Sequence, residues 1–208
     1  MNRQLAFGGL AAGLFHARQY EDALTVQEAE LSMMRRLGDS ESPSGPGYIL
    51  TLQANLACTY SELGRLDEAN LIKRDVYFGR LELNGTDHEN TLIAAMNYAS
   101  SLEDSERFEE AKSVLREMIP VAQRVLGESN EVTLRMRWNY AAVLYNDPGA
   151  TFRDLLEAVT RLEKLTLTAQ RVLGRFHPIV GGIVGELVLA RAALRAPRRR
   201  REPVSTAN

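Results

Sequence analysis

A short pattern that recurs at a fixed interval is the strongest constraint on this chain. The letters NLACTY begin at Asn55, NYASSL at Asn97 and NYAAVL at Asn139, so the pattern returns every 42 residues. The equivalent positions nearer the two ends are Gly9 and Glu186, at spacings of 46 and 47 residues. Self-similarity at a period of this size is typical of a solenoid, in which similar supersecondary units stack on one another.

The two longer intervals contain turn-forming insertions. The first includes GDSESPSGPGY, which begins at Gly38 and is rich in Ser, Pro and Gly. The last includes YNDPGATFRD, in which Asp147, Pro148 and Gly149 form a turn signal. The sequence therefore predicts the same repeat throughout, with enlarged loops in two places.

Each unit contains two helical patterns. In the third repeat, the first pattern places Leu92, Tyr98, Ala99 and Leu102 within helical spacing. The second pattern steps by three and four residues and keeps one face apolar, with Ala111, Val114, Leu115, Met118, Ala122, Val125 and Leu126.

Glycine and proline positions define where the second helices end or bend. Glycines at 38, 85, 127 and 174 follow the second helices, where a residue that tolerates a left-handed backbone ends a helix at little cost. Pro120 lies inside the second helix of the third repeat and removes a backbone donor facing the carbonyl of Arg116. The sequence predicts a kink or a break there.

These residues resemble the tetratricopeptide repeat. The second helix opens with YEDA, LDEA, FEEA or LLEA, beginning at Tyr20, Leu66, Phe108 and Leu155, and its Ala lets two helices approach closely. The 42-residue unit, followed by LGRFHP at residues 173–178, is similar to the kinesin light chain type of the family.

The resemblance implies an all-α fold, a right-handed α-solenoid of about four tetratricopeptide-like helix pairs plus a C-terminal capping helix. The predicted repeat domain covers residues 1–196, and a basic tail follows at 197–208. Within the domain, the repeats are predicted at about 5–38, 48–85, 90–127 and 132–174, with the capping helix at 179–195.

The charge distribution argues against a protein that binds nucleic acids. The net charge is −2, but residues 191–202 hold six of the 25 basic residues and one of the 27 acidic ones. The rest carries 19 basic and 26 acidic residues, whereas nucleic-acid binders usually present a basic surface to phosphates. The run Arg198 to Arg201 predicts a solvated, disordered end, with a localisation or polyanion-binding patch as the alternative.

Residues suited to catalysis or metal binding are scarce. Cys58 is the single cysteine, and the three histidines, His16, His88 and His177, lie at predicted helix ends or in linkers. The sequence contains no set of tetrahedral zinc ligands, no Gly-rich phosphate loop and no run of about 18 apolar residues that could span a membrane. We expect a non-enzymatic cytoplasmic protein without a cofactor, a metal or a membrane partner.

Each first helix has a stripe of mostly small or polar side chains beside an apolar face. Residues such as Tyr98, Ala99 and Leu102 belong to the apolar face and are predicted to pack. The stripes contain Thr51, Asn55, Cys58 and Glu62; Ile93, Asn97, Ser100 and Asp104; and Arg135, Asn139, Ala142 and Asn146. The resemblance implies that the first helices line the concave side of the solenoid, so these stripes are expected to face a groove.

The leading hypothesis is a protein–protein interaction module that binds a peptide or protein partner in this groove. In tetratricopeptide domains that bind extended peptides, Asn at this place hydrogen-bonds the ligand backbone, because an amide both donates and accepts. The candidate groove residues are Asn55, Asn97, Asn139, Ser100, Arg135 and Trp138. Two alternatives stay open: the Asn side chains bond to a neighbouring helix, and Trp138 belongs to the core.

A clamp on a terminal carboxylate, the best-defined ligand mode of the family, requires Lys or Arg beside the Asn residues. Only Arg135 and Arg137 stand in suitable places, whereas Glu62 and Asp104 would oppose an acidic ligand in the earlier repeats. A carboxylate clamp is therefore not expected. The alternative function is a structural or self-associating solenoid, a fragment of a larger assembly without its own peptide site.

Overall fold

The computed structural model describes residues 2–37 and 47–195, and the side chains of residues 8–36 and 47–195. Residues 38–46 of the enlarged first loop, which include Gly38, and the basic tail lie outside these residues. The described chain contains nine α-helices and no strand: α1 Asn2–His16, α2 Tyr20–Leu37, α3 Tyr48–Glu62, α4 Leu66–Asn84, α5 Glu89–Asp104, α6 Phe108–Val125, α7 Glu131–Asn146, α8 Phe152–Leu173 and α9 Pro178–Arg195.

The helices stack in chain order. Each helix packs against the next one along the chain, from α1 on α2 to α8 on α9. The first helices of the later repeats also pack on each other, α5 on α7 and α7 on α9. The predicted all-α solenoid of four helix pairs and a final helix is confirmed.

The turns repeat as the sequence period requires. Left-handed backbone occurs at Arg18, Gly64 and Glu106, each in the turn between the two helices of a repeat. Gly85, Gly127 and Gly174 follow the second helices with φ of 76°, 91° and 86°. The prediction that glycine ends these helices is confirmed at those three positions.

Small residues bring the helices of each pair together. The four alanines of the YEDA-type motifs are at most 1% exposed, namely Ala23, Ala69, Ala111 and Ala158. Tyr60, Tyr98 and Tyr140 of the first helices are buried as well. The division of each first helix into a packing face and a polar stripe is therefore observed, although Ala142 of the stripe is itself buried.

Pro120 does not interrupt its helix. α6 is continuous from Phe108 to Val125, so a break at this position does not occur. Pro120 is exposed, whereas Met118, Ile119 and Ala122 on both sides of it are buried in the core. Burial of this apolar face stabilises the helix despite the missing donor.

The linkers between repeats supply helix caps. The side chains of His88 and Asn130, which are equivalent in the repeat, accept hydrogen bonds from Asn90 N and Val132 N at the start of α5 and α7. Nδ1 of His177 accepts from Ile179 N in the same way at the start of α9. A capping side chain satisfies a backbone donor that the helix itself leaves free, so these linker residues have a structural role.

A buried threonine fixes each later repeat to the preceding one. Oγ1 of Thr91 donates to the carbonyl of Arg80, and Oγ1 of Thr133 donates to the carbonyl of Ala122. Both threonines are fully buried and lie 42 residues apart. Each bond joins a first helix to the last part of the second helix before it.

Candidate ligand-binding groove

The surface formed by the first helices α1, α3, α5, α7 and α9 carries the candidate residues and is called the groove below. Its two halves differ. In the second half α5, α7 and α9 pack on each other, whereas α1, α3 and α5 do not pack extensively together. Two pockets open between the first helices of this looser half, and second helices contribute to their walls.

The first pocket lies between α3 and α5, with α4 beneath, and has a volume of about 160 Å³. We call it the Arg80 pocket. It is lined by small and apolar residues and by a few polar ones: Thr51, Ala54, Cys58, Lys73, Val76, Arg80, Asn90, Ile93, Ala94 and Asn97. Asn97 and Thr51 belong to the predicted stripes, whereas Lys73, Val76 and Arg80 come from the second helix α4.

Arg80 is the unusual residue of this pocket because it is only 9% exposed. Its Nη2 donates a 2.6 Å hydrogen bond to Oγ1 of Thr51, and no carboxylate among the described residues pairs with it. Burial lowers the pKa of the Arg80 guanidinium. A buried charge that lacks a counter-ion is costly, so this side chain favours an anionic group in the pocket.

Lys73 and Cys58 share the pocket. Nζ of Lys73 donates a 2.9 Å hydrogen bond to Oγ of Ser61 and adds a second positive charge. Cys58 is exposed at the groove surface, and partial desolvation raises the pKa of its thiol, while the charge of Lys73 lowers it and that of Glu62 raises it. A thiol with a raised pKa is a weak nucleophile at neutral pH, so Cys58 is a lining residue here.

The second pocket lies between α1 and α3, with α2 beneath, and has a volume of about 470 Å³. We call it the Glu30 pocket. Its lining residues are Gly8, Ala11, Ala12, Phe15, His16, Gln27, Glu30, Tyr48, Thr51, Leu52, Asn55 and Cys58. Thr51 and Cys58 line both pockets, so the two adjoin along α3.

The three Asn side chains differ in their surroundings. Asn55 is exposed at the Glu30 pocket, and Asn97 is half-buried at the Arg80 pocket. Asn139 is half-buried on α7, apart from both pockets. Within the described chain, none of the three makes a side-chain hydrogen bond, so their amides are available to a ligand or to water.

The other candidates are spread along the groove. Ser100 lies half-buried on α5, one turn after Asn97. Arg135 is exposed and forms a 2.9 Å ion pair with Glu131 of the same helix. Trp138 packs on α9, where a Cβ atom added to Gly182 would overlap its ring. The structure therefore brings Asn55 and Asn97 to adjoining pockets and leaves the α7 candidates in the closed half.

Acidic residues mark the closed half of the groove. Asn146 donates to Glu103, and the hydroxyl of Tyr145 donates to Glu186 of α9. Burial raises the pKa of Glu103, and the charges of Asp104 and Glu186 raise it further, while the hydrogen bond from Asn146 lowers it. The groove is thus positive at the Arg80 pocket and negative between α5 and α9.

A further concavity of about 520 Å³ lies between α7 and α8. Its charged residues include Arg137, which pairs with Glu128, and Arg161, which pairs with Glu157. Arg153 and Lys164 also line it without an ion pair to any described residue, but both are exposed to solvent and need no counter-ion, so this surface is a weaker candidate than the Arg80 pocket.

Membrane-spanning helices and metal-binding clusters are both absent from residues 2–37 and 47–195. None of the helices in these ranges is long and apolar enough to cross a membrane. The same ranges contain no group of three or more His, Cys, Asp or Glu side chains arranged to hold a metal ion.

Comparison with known proteins establishes the fold. No protein-family model matches the chain, and no curated protein matches its sequence. Among solved structures, a protein of Podosopora anserina described as a kinesin light chain with nearly identical TPR-like repeats matches with a TM-score of 0.73 at 20% identity. The match covers 93% of this chain and 89% of that one.

Two more structures agree. A variant of the same P. anserina protein gives a TM-score of 0.74 at 21% identity, covering 92% of this chain and 86% of that one. BtubC (BKLC) from P. vanneervenii gives 0.60 at 16% identity, covering 97% and 85%. The chain has a TPR-like fold of the kinesin light chain type. At these identities the similarity establishes the architecture of the TPR-like solenoid and leaves its partner open.

Aligning the repeats shows why sequence patterns on the first helices missed Glu30, Lys73 and Arg80. Glu30 and Arg80 stand where the other three repeats have apolar residues, and Lys73 stands where two repeats have Leu and the first has the uncharged Gln27. The equivalent residues are Val76, Met118 and Leu165 for Glu30; Gln27, Leu115 and Leu162 for Lys73; and Met34, Ala122 and Ala169 for Arg80. Charges at core positions of the first two repeats were the available signal, because local exceptions to a fold's rules often mark functional sites.

Proposed function

We propose that this TPR-like solenoid is a non-enzymatic interaction module that binds an extended segment of a protein partner in the groove. The observation that carries the proposal is the buried guanidinium of Arg80, which faces a pocket and has no carboxylate partner among the described residues. Repeat solenoids present extended surfaces suited to such partners. A cytoplasmic location stays a prediction from the sequence.

The polar side chains suit an extended peptide with an acidic residue. A carboxylate of the partner would enter the Arg80 pocket and accept hydrogen bonds from Arg80, with Lys73 contributing a second charge. Asn55 and Asn97, beside the adjoining pockets, would contact the peptide backbone through donors and acceptors that the chain itself leaves free. Asn139, Ser100, Arg135 and Trp138 extend the proposed contact surface toward α9.

A peptide-display selection tests the proposal. A random peptide library is selected against the immobilised chain, and selected peptides are titrated against wild type, Arg80→Met and Arg74→Met by fluorescence anisotropy. Arg74 is a matched control, since it lies on the same helix but is exposed and pairs with Asp75 at 2.9 Å. We expect acidic peptides, about tenfold or more weaker binding for Arg80→Met, and unchanged binding for Arg74→Met.

Asn97→Ala separates backbone recognition from charge recognition. One lost hydrogen bond is worth about 1 kcal/mol, so a reduction of about fivefold is expected with every selected peptide. A selection that yields no acidic peptide, or equal affinities for the two arginine variants, would reject the groove as an acidic-peptide site. Circular dichroism of each variant confirms that it is folded.

A second candidate function is self-association, and one observation favours it. The last helix, α9, exposes Val184, Val188 and Leu189 on one face, on which Gly181 and Gly185 also have open space. A face of this kind is where a further repeat or a second solenoid would pack. Sedimentation at increasing concentration tests this function; a dimer that Val188→Glu dissociates would support it, and a monomer throughout would remove it.

A further inference from the structure

The Glu30 pocket contains a buried carboxylate without a cationic partner. The side chain of Glu30 is only 1% exposed, although its repeat position is apolar in the other three repeats. Its Oε1 accepts a 2.8 Å hydrogen bond from the hydroxyl of Tyr48. No Lys, Arg or His among the described side chains forms an ion pair with it; His16 also lines the pocket but does not bond to Glu30.

Apolar side chains form part of the wall of the Glu30 pocket. Ala11, Ala12, Phe15 and Leu52 contribute to the walls. A Cβ atom placed at Gly8 would lie 3.9 Å from Oε1 of Glu30, an ordinary van der Waals contact, so α1 passes close to the carboxylate. A pocket with apolar walls and a carboxylate in its lining matches a side chain with an alkyl stem and a positive end.

The hydroxyl of Tyr48 does not supply the positive charge that would neutralise the carboxylate of Glu30. Burial, together with the hydrogen bond and the charge of Glu30, raises the pKa of Tyr48 to about 12. The phenol therefore stays protonated at neutral pH and donates one neutral hydrogen bond. An ionised carboxylate in this position still lacks a counter-ion, and a buried charge is stable when it is paired.

We propose that the Glu30 pocket binds the guanidinium or ammonium end of an Arg or Lys side chain of the bound partner. The inference rests on the proposed function, because the pocket adjoins the Arg80 pocket along α3 and shares Thr51 and Cys58 with it. The partner segment then carries a basic residue close to its acidic one. Oppositely charged pockets side by side also set the direction in which the segment lies in the groove.

Small probes test this site without a peptide. The titrants are n-butylguanidinium and its neutral analogue n-butylurea, followed by ¹H–¹⁵N NMR on wild type, Glu30→Gln, Ala12→Leu and Glu28→Gln. Ala12→Leu fills the pocket from an exposed position of α1. Glu28 is a matched control because it also accepts a 2.8 Å hydrogen bond from a tyrosine, Tyr60, but is exposed and lies outside the pocket.

We expect n-butylguanidinium to shift resonances of α1, α2 and α3 and to bind about tenfold or more tightly than n-butylurea. Glu30→Gln and Ala12→Leu should each weaken it by a similar factor, and Glu28→Gln should leave it unchanged. Equal binding of the two probes, or full affinity in either pocket variant, would overturn the proposal.

Arg3 is a cation of the chain itself that could serve as the counter-ion of Glu30, and its side chain lies outside the described part of the structure. The Arg3→Gln variant should bind the probe as wild type does; binding that appears only in this variant would show that Glu30 serves Arg3 and would overturn the inference. One outcome would reject this inference alone. If acidic peptides bind and require Arg80, but n-butylguanidinium binds neither wild type nor any variant, the inference fails and the proposed function stands.

Discussion

The indole ring of Trp138 lies against Gly182, so that a Cβ atom at position 182 would overlap Cη2 and lie 2.8 Å from Cζ2 of the ring. Trp138 belongs to α7 and Gly182 to α9, and the contact joins the last complete repeat to the final helix. Gly182→Ala forces the rigid ring to move, and overpacking of this kind costs about 1–3 kcal/mol. Urea unfolding should show this loss in the free energy of unfolding.

The control for that experiment is Gly185→Ala in the same helix. A Cβ atom added to Gly185 would have open space, with no side chain of a neighbouring helix within 4 Å. Alanine there should raise the free energy of unfolding by about 0.5–1 kcal/mol, because glycine is a poor helix former. Equal effects of the two substitutions would contradict the importance of the ring contact.

Arg80→Met should leave the solenoid at least as stable as wild type. The variant loses one hydrogen bond to Thr51 but removes a buried charge from a position that is apolar in the other repeats. Replacement of buried charges by apolar groups is often neutral or stabilising, by about 1–4 kcal/mol. Differential scanning calorimetry provides the measurement, and a loss of more than about 2 kcal/mol would identify Arg80 as a structural residue.

The buried threonines should contribute measurably to stability. Thr133→Val keeps the shape of the side chain but removes its hydrogen bond to the carbonyl of Ala122, which still accepts from Leu126 N, so the expected loss is about 1 kcal/mol. Thr160→Val is the control, since Thr160 is exposed and its hydroxyl bonds to Leu156 within its own helix. Chemical denaturation should show a loss for Thr133→Val and little change, under about 0.5 kcal/mol, for the control.

Asp87 should titrate at an unusually low pH. Its hydrogen bonds with Arg124, and a further one with Thr86, lower the pKa of the carboxyl from 3.8 to about 2. Because the folded-state pKa is depressed, the stabilisation is present above pH 3.8 and is lost as the pH falls toward about 2. An NMR titration of Asp87 gives the value directly.

The same titration in Arg124→Gln checks the cause of the shift. The pKa of Asp87 should return most of the way to 3.8. In wild type, about 1 M salt should reduce the shift, because the pair is exposed and screened. An unchanged low pKa in Arg124→Gln would show that Arg124 is not its source.

The architecture could be predicted because it is encoded repeatedly. The buried Ala of each second-helix motif, the glycines after those helices and the Tyr or Leu of the first helices occur several times, so one ambiguous position did not decide the outcome. The sequence predicts a kink or a break at Pro120, and the break does not occur. Burial of the apolar face of α6 outweighs the local preference of proline for a break. Tertiary packing, which the local sequence does not show, decided that case.

The candidate site was less predictable because its strongest residues break the pattern. Asn55 and Asn97 belong to the recurring pattern and were predicted as candidates from it, but Glu30 and Arg80 each occur once, on helices expected only to pack. Nothing in their local sequence shows that α1, α3 and α5 lie far enough apart to leave pockets above them. The distance between these helices depends on how the repeats stack in three dimensions. The contact between the Trp138 ring and Gly182 depends on it as well.

The open first half and closed second half of the groove have a consequence for how a ligand finds its place. Nearly equivalent repeats would let an extended chain bind in several registers, each shifted by one repeat. An inserted side chain can be received between α3 and α5 but meets packed helices between α5 and α7. For an extended ligand as proposed above, side chains would enter only between α1 and α3 and between α3 and α5, so the irregular stacking would limit the number of registers on a periodic surface.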